Sequence, residues 1–200
     1  MRKSLLFLID LIHRLILQCA RKGGKMKDLK VTLLYVVNIL MGILTYVFLS
    51  QPYMSVTTMG AGLGLANQSG YDIIDSLFTS SGGTGTEVML ALSTFLVSIF
   101  AGVLIIASIY NLLVSFDVVK NSKFTKVANI VNLVATAVLV AFGVIALSCD
   151  VANINNTLVN NVVPMESLYN VGWAVIVNLV MAVIALVSSV FGYLFSKKSA

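Results

Sequence analysis

The sequence predicts an all-α integral membrane protein: a four-transmembrane-helix bundle with a small outer cap of loops that includes a short β element. Two observations predict this class. Apolar side chains make up 58% of the 200 residues and charged ones only 10%, whereas soluble domains carry about a quarter charged residues. The basic residues also occur in short pieces beside long uncharged stretches, which is the pattern of membrane topology.

Four stretches are long enough to cross a bilayer, since a spanning helix needs roughly 20 apolar residues. They cover residues 31–50, 88–116, 127–149 and 171–195. None contains Asp, Glu, Lys, Arg or His, each of which costs roughly 2.5–3.5 kcal/mol at mid-bilayer. We therefore predict one transmembrane domain over residues 26–200, with outer loops 51–87 and 150–170 and an inner loop 117–126.

The basic residues predict the orientation. All 13 Lys and Arg residues lie before the first span, between the second and third, or after the fourth. In the two other loops, every charged residue is acidic. Cytoplasmic pieces collect Lys and Arg, so we expect a multi-pass protein of the cell membrane with both termini in the cytoplasm. The net charge of +5 does not indicate nucleic acid as a partner, because no folded face concentrates it. The partner that composition implies is the lipid bilayer.

Residues 1–25 allow two interpretations. Apolar residues at positions 5, 8, 9, 12, 15 and 16 are typical of an amphipathic helix on the inner leaflet. Alternatively, the codons for Lys22-Gly23-Gly24-Lys25 could form a ribosome-binding site, so that translation begins at Met26. In that case residues 1–25 are translated leader and the source is bacterial.

The outer loops are expected to form the cap. Residues 53–58 alternate as a short strand does, and residues 69–78 form an amphipathic segment. The second loop is expected to pack on the first. Asp72 and Asp75 share a face if their segment is helical and would suit a divalent cation such as calcium, although the outer acids are more often solvated residues.

Three asparagines inside the predicted spans need partners. Asn38, Asn132 and Asn178 each follow a valine and precede an isoleucine or leucine. Because an unpaired amide in hydrocarbon is costly, we expect them to face the bundle interior. They would act either as interhelical contacts, at about 0.6 kcal/mol each, or as the lining of a polar path.

The sequence favours a non-enzymatic structural or accessory protein that binds a membrane-protein partner. The single histidine, His13, lies in the uncertain segment, and no catalytic constellation, metal site or cofactor motif stands out. A proton-coupled transporter normally needs an intramembrane carboxylate or histidine, and the predicted spans contain none. The alternative is a self-associating homo-oligomeric pore or passive carrier lined by Asn, Ser and Thr.

The loop lengths resemble those of claudins and tetraspanins, with a long first outer loop and a shorter second one. The likeness is one of topology. The first loop has no Trp and no Cys pair, and the second has no Cys-Cys-Gly, so no functional residue carries over.

Overall fold

The fold was analysed in a computed structural model that describes residues 26–79, 85–116, 119, 122–156, 158–159 and 163–198. In chain order its elements are α1 (Met26–Leu49), β1 (Pro52–Val56), α2 (Thr58–Gly62), β2 (Gln68–Ser69), α3 (Gly70–Thr79), α4 (Gly85–Ser115), α5 (Ser122–Asn156), β3 (Leu158–Val159), β4 (Val163–Pro164), a 3-10 turn (Met165–Ser167), β5 (Tyr169–Val171) and α6 (Trp173–Lys198). Both interpretations of residues 1–25 concern a segment outside the described residues.

In the described part of the chain, α1, α4, α5 and α6 are long and apolar enough to cross a membrane. Helix α5 contains its predicted span, 127–149, and extends beyond it at both ends. Helices α1 and α4 begin before the predicted spans and end one residue earlier than predicted, and α6 begins two residues later and ends three residues later. The largest difference is at the end of α5, which continues to Asn156. Residues 150–156 contain neither Gly nor Pro, so nothing in this stretch stops the helix.

The four long helices form a closed ring. Helix α1 packs against α4 and α6, and α5 packs against the same two helices. Neighbouring long helices in the ring are antiparallel, as their contacts show: Asn111 near the end of α4 bonds to Asn129 near the start of α5, and Tyr35 near the start of α1 lies beside Gly192 near the end of α6. We call the end at which α1 begins and α6 ends the far end, and the opposite end, which carries the sheet and α3, the cap end.

The cap combines segments from both predicted outer loops, as expected. Strand β1 is the centre of a three-stranded antiparallel sheet between β2 and β5, and Met54 pairs with Val171. The predicted amphipathic segment forms α3, whose Ile73 is buried against the bundle. Gly172 joins β5 to α6, and its backbone lies so close to Pro52 and Tyr53 that a β-carbon would collide with their carbonyl groups.

Candidate functional site: polar groups inside the bundle

The far half of the bundle contains a hydrogen-bonded group centred on Asn129 of α5, which we call the far-end cluster. The amide oxygen of Asn129 accepts hydrogen bonds from the Tyr35 hydroxyl at 2.8 Å and from the Asn111 amide at 3.1 Å. Its amide nitrogen donates to the Ser196 hydroxyl at 3.3 Å. Since the partners belong to α1, α4 and α6, this one side chain connects all four long helices.

The three asparagines singled out by sequence are buried at the interior of the bundle, at 1%, 2% and 5% exposure for Asn38, Asn132 and Asn178. Asn38 donates to the Ser189 hydroxyl of α6 at 2.9 Å. Asn132 accepts from the Ser108 hydroxyl of α4 at 3.3 Å. Both contacts join neighbouring helices.

These interior amides are not fully satisfied. The described residues offer no hydrogen-bond partner to Asn38 Oδ1, Asn111 Oδ1, Asn132 Nδ2 or Asn178 Oδ1. A buried polar atom without a partner loses its water contacts and gains nothing in return. A bound water or ligand would therefore gain most binding free energy by forming hydrogen bonds with these atoms.

An apolar layer separates the polar groups of the two ends, and we call it the middle layer. It is formed by small and branched side chains from α4, α5 and α6: Val97, Ala101, Leu104, Ala135, Leu139, Ala182 and Ala185. All seven are 7% exposed or less. Protein interiors contain few voids larger than one water molecule, and an apolar layer of this kind opposes a continuous polar path along the ring.

The cap end carries a second polar group. The Tyr53 hydroxyl of β1 accepts a hydrogen bond of 2.6 Å from the Asn178 amide of α6. Burial raises the pKa of Tyr53 to about 12; the Asn178 hydrogen bond opposes that rise and the negative charge of Asp150 adds to it. The phenol is therefore neutral at physiological pH, and Asp150 lies within its electrostatic reach.

Beneath Tyr53 lies a cavity of about 10 Å³ between the cap and the middle layer. Its walls include Thr45, Tyr53 and Asn178, and its floor includes Val97, Leu139 and Ala182 of the middle layer. A cavity needs roughly 10–15 Å³, measured in this way, to hold one water molecule. The site therefore accommodates a single water-sized particle in contact with the unpartnered oxygen of Asn178.

Asp150 is the unexpected member of this group. The sequence analysis assigned it to an outer loop, among the solvated acids, but α5 continues past it and its side chain is 0% exposed. It lies on the face of α5 that also carries Gly143 and Ala146, both of which line the cavity. Neither carboxylate oxygen has a hydrogen-bond partner among the described residues.

The apolar stretches of the long helices contain no basic residue: Lys, Arg and His are absent from residues 31–119 and 127–196. A buried carboxylate without an opposite charge costs several kcal/mol. A buried carboxyl avoids this cost by taking up a proton or by pairing with a cation. We call Asp150, Tyr53, Asn178 and the adjoining cavity the cap-end site.

The acidic pair Asp72 and Asp75 lies elsewhere, on the exposed side of α3. Asp72 accepts hydrogen bonds from the backbone and hydroxyl of Ser69, at 2.8 and 2.7 Å, and its own N–H donates to that hydroxyl. This reciprocal arrangement is a capping box at the start of α3. Among the described residues, no group of three or more His, Cys, Asp or Glu side chains could hold a metal ion.

Sequence reasoning missed three members of these sites. Asn129 and Asn111 were not singled out because their flanks differ from the recurring Val-Asn pair, although Asn129 precedes Asn132 by one helical turn on the same face. Asp150 was missed because the apolar window ended at Cys149. The helix-compatible residues after Asp150 were the signal that could have placed it inside α5.

No family model, curated protein or solved structure matches this chain. The functional argument therefore rests on the geometry of the residues themselves.

Proposed function

We propose that this chain is a non-enzymatic membrane protein, an accessory or structural subunit that acts by binding another membrane protein. It spans the cell membrane four times, with both termini in the cytoplasm and the cap outside. The observation that carries the proposal is the closed interior. The middle layer blocks the axis of the ring, and the polar side chains on either side of it hold helices together.

The alternative, a homo-oligomeric pore lined by asparagines, fits the geometry less well. Asn38, Asn132 and Asn178 point into their own bundle and are at most 5% exposed. They are therefore poorly placed to line a path between copies of the chain. If they nevertheless line a path, Asn132→Leu should change flux through liposomes that contain the folded protein.

The cap offers a surface for the proposed partner. Met59 in α2 and Leu63 directly after its end are 53% and 62% exposed. Thr57 fixes this helix: its N–H donates to the Leu168 carbonyl at 2.8 Å and its hydroxyl to the Ser167 carbonyl at 2.6 Å. We propose that these two apolar side chains, which lie outside the spanning helices, form part of a larger apolar contact surface for the partner.

Photo-cross-linking in native membranes tests the proposal. A photoreactive amino acid at Leu63 should capture the same membrane protein reproducibly. The matched control is Ile106 in α4, which is 71% exposed on the side of a spanning helix and should capture lipid. Capture of lipid alone at both positions, or of further copies of this chain alone, would contradict the accessory role.

The orientation has its own test. In a background that lacks both native cysteines (Cys19→Ala and Cys149→Ala), Leu63→Cys should react with a membrane-impermeant maleimide in intact cells. Phe124→Cys, exposed at the start of α5, should react only after permeabilisation. The reverse pattern would place the cap in the cytoplasm.

A further inference from the structure

We propose that helix α3 lies in the lipid–water interface of the cap-side leaflet, with Tyr71, Ile74 and Phe78 against lipid acyl chains. This inference rests on the proposed crossing of the membrane by the four long helices. It assigns lipid, rather than a protein partner, to this side of the cap.

The residues of α3 form three stripes, each made of positions three and four apart. The first stripe packs against the bundle and consists of Gly70, Ile73 and Leu77. The second, which we call the apolar stripe, consists of Tyr71, Ile74 and Phe78. The third is polar and exposed and consists of Asp72, Asp75 and Thr79. Neighbouring stripes are about 100° apart around the helix axis, so α3 presents an apolar side and a polar side away from the bundle. This is the pattern of a helix that lies between lipid and water.

Two contacts fix the direction in which the apolar stripe faces. The Tyr71 hydroxyl donates to the carbonyl of Tyr46 at 3.2 Å, and Tyr46 lies about one turn before the end of α1 at Leu49. Phe78 packs edge-on against Phe95 of α4, with ring centroids 6.0 Å apart. Phe95 lies about 15 Å along α4 from its first residue. Both contacts reach from the cap towards the far end, along the sides of spanning helices.

The length of α1 places these contacts relative to the membrane. Residues 31–49 contain no charged side chain and measure about 28 Å along the helix at 1.5 Å per residue. The hydrocarbon core is about 30 Å thick, so crossing it requires this whole stretch. Ser50 then lies at the cap-side boundary, and Tyr46 lies about one turn inside it. Aromatic side chains such as Tyr71 are typical of this depth.

Phe78 also continues an apolar face of α4. Val88, Leu92 and Ile99 share the face of Phe95, since the four positions are spaced by four, three and four residues. These three are 46%, 41% and 42% exposed, and Phe78 is 73% exposed beside them. The surroundings that cover the exposed side of this spanning helix therefore also cover the apolar stripe. In a membrane, those surroundings are acyl chains.

Fluorescence quenching in proteoliposomes tests this position. Trp173→Phe removes the single tryptophan, and Phe78→Trp then places one in the apolar stripe while keeping an aromatic ring beside Phe95. Its emission should fall in phosphatidylcholine that is brominated in the upper part of the acyl chains. It should resist iodide supplied on both sides of the bilayer. Tyr71→Trp is a second probe in the same stripe and should give the same result.

Three control variants use the same background. Leu63→Trp, on the cap, should be quenched by iodide and keep its emission in brominated lipid. Ile106→Trp, at a position that is 71% exposed on α4, should be quenched by brominated lipid and resist iodide. Asp75→Trp lies on the polar stripe of α3 and should be quenched by iodide more strongly than Phe78→Trp.

The controls separate failure of this inference from failure of the proposed function. Quenching of the apolar-stripe probes by iodide, with Ile106→Trp still quenched by lipid, would overturn the inference and leave the membrane crossing intact. Protection of these probes from both quenchers would also overturn it, since protein would then cover the apolar stripe. Loss of lipid quenching at Ile106→Trp would contradict the crossing itself, and with it the inference.

Discussion

Replacing Asn129 with leucine should destabilise the bundle more than any other single asparagine substitution in its interior. The variant removes three interhelical hydrogen bonds, to Tyr35, Asn111 and Ser196. At about 0.6 kcal/mol for an average bond between membrane helices, their sum is about 2 kcal/mol. The Tyr35 hydroxyl and the Asn111 amide also lose their acceptor, which costs about 1–3 kcal/mol for a buried donor. With one such penalty added to the three bonds, we expect a total loss of about 3–5 kcal/mol.

Unfolding by SDS in mixed micelles measures this loss. The single tryptophan, Trp173, packs edge-on against Phe48 with ring centroids 5.5 Å apart, so its fluorescence reports the separation of α6 from α1. Asn155→Leu is the matched control, because Asn155 lies on the same helix and is exposed. Its free energy of unfolding should change by no more than about 0.5 kcal/mol.

A double-mutant cycle isolates the principal bond. Tyr35→Phe removes the hydroxyl that donates to Asn129, and the two substitutions should be non-additive by at least about 0.5 kcal/mol because they remove the same bond. The reasoning is refuted if Asn129→Leu is as stable as Asn155→Leu. Strict additivity with Tyr35→Phe would equally refute the assigned contact.

Three further outcomes are expected. Gly172→Ala should disrupt the junction of β5 and α6 and lower the Tm, whereas Gly62→Ala, which meets open space, should not. Tyr53 should ionise near pH 12 in an absorbance titration. Its raised pKa contributes to the stability of the fold below about pH 10, and this contribution is lost as the pH rises towards 12. Tyr53→Phe should therefore remove this part of the fall in stability at high pH. Asn38→Leu should cost about 1 kcal/mol or less by SDS unfolding, because the Asn38 amide donates one hydrogen bond of 2.9 Å, to the Ser189 hydroxyl.

The sequence predicted the long helices well because their signal is local. An uncharged stretch of 20 or more apolar residues has few alternatives to a spanning helix, and the structure has four such helices in its described part. The strand around Tyr53 and the amphipathic helix α3 were also predicted, since alternation and helical periodicity are visible in short windows.

The cap-end site could not be predicted in the same way, because it is made by contacts distant in sequence. Tyr53 and Asn178 are 125 residues apart, and no pattern in the loop around Tyr53 indicates that its hydroxyl enters the bundle. Whether Asp150 is buried depends on where α5 ends, and the ends of helices and strands are the features that a sequence predicts least reliably. An extension of a few residues changed a solvated loop acid into a buried one.

The position of the middle layer bears on the proposed accessory role. The layer forms the floor of the cavity, so the polar groups of the cap end are separated from those of the far half of the ring. The hydrogen bond between Tyr53 and Asn178 instead holds β1 against α6, and the pairing of β1 with β5 joins segments of both loops in one cap. These contacts support the cap that carries Met59 and Leu63. The proposed accessory role then has a physical basis in a surface that is fixed to a closed bundle.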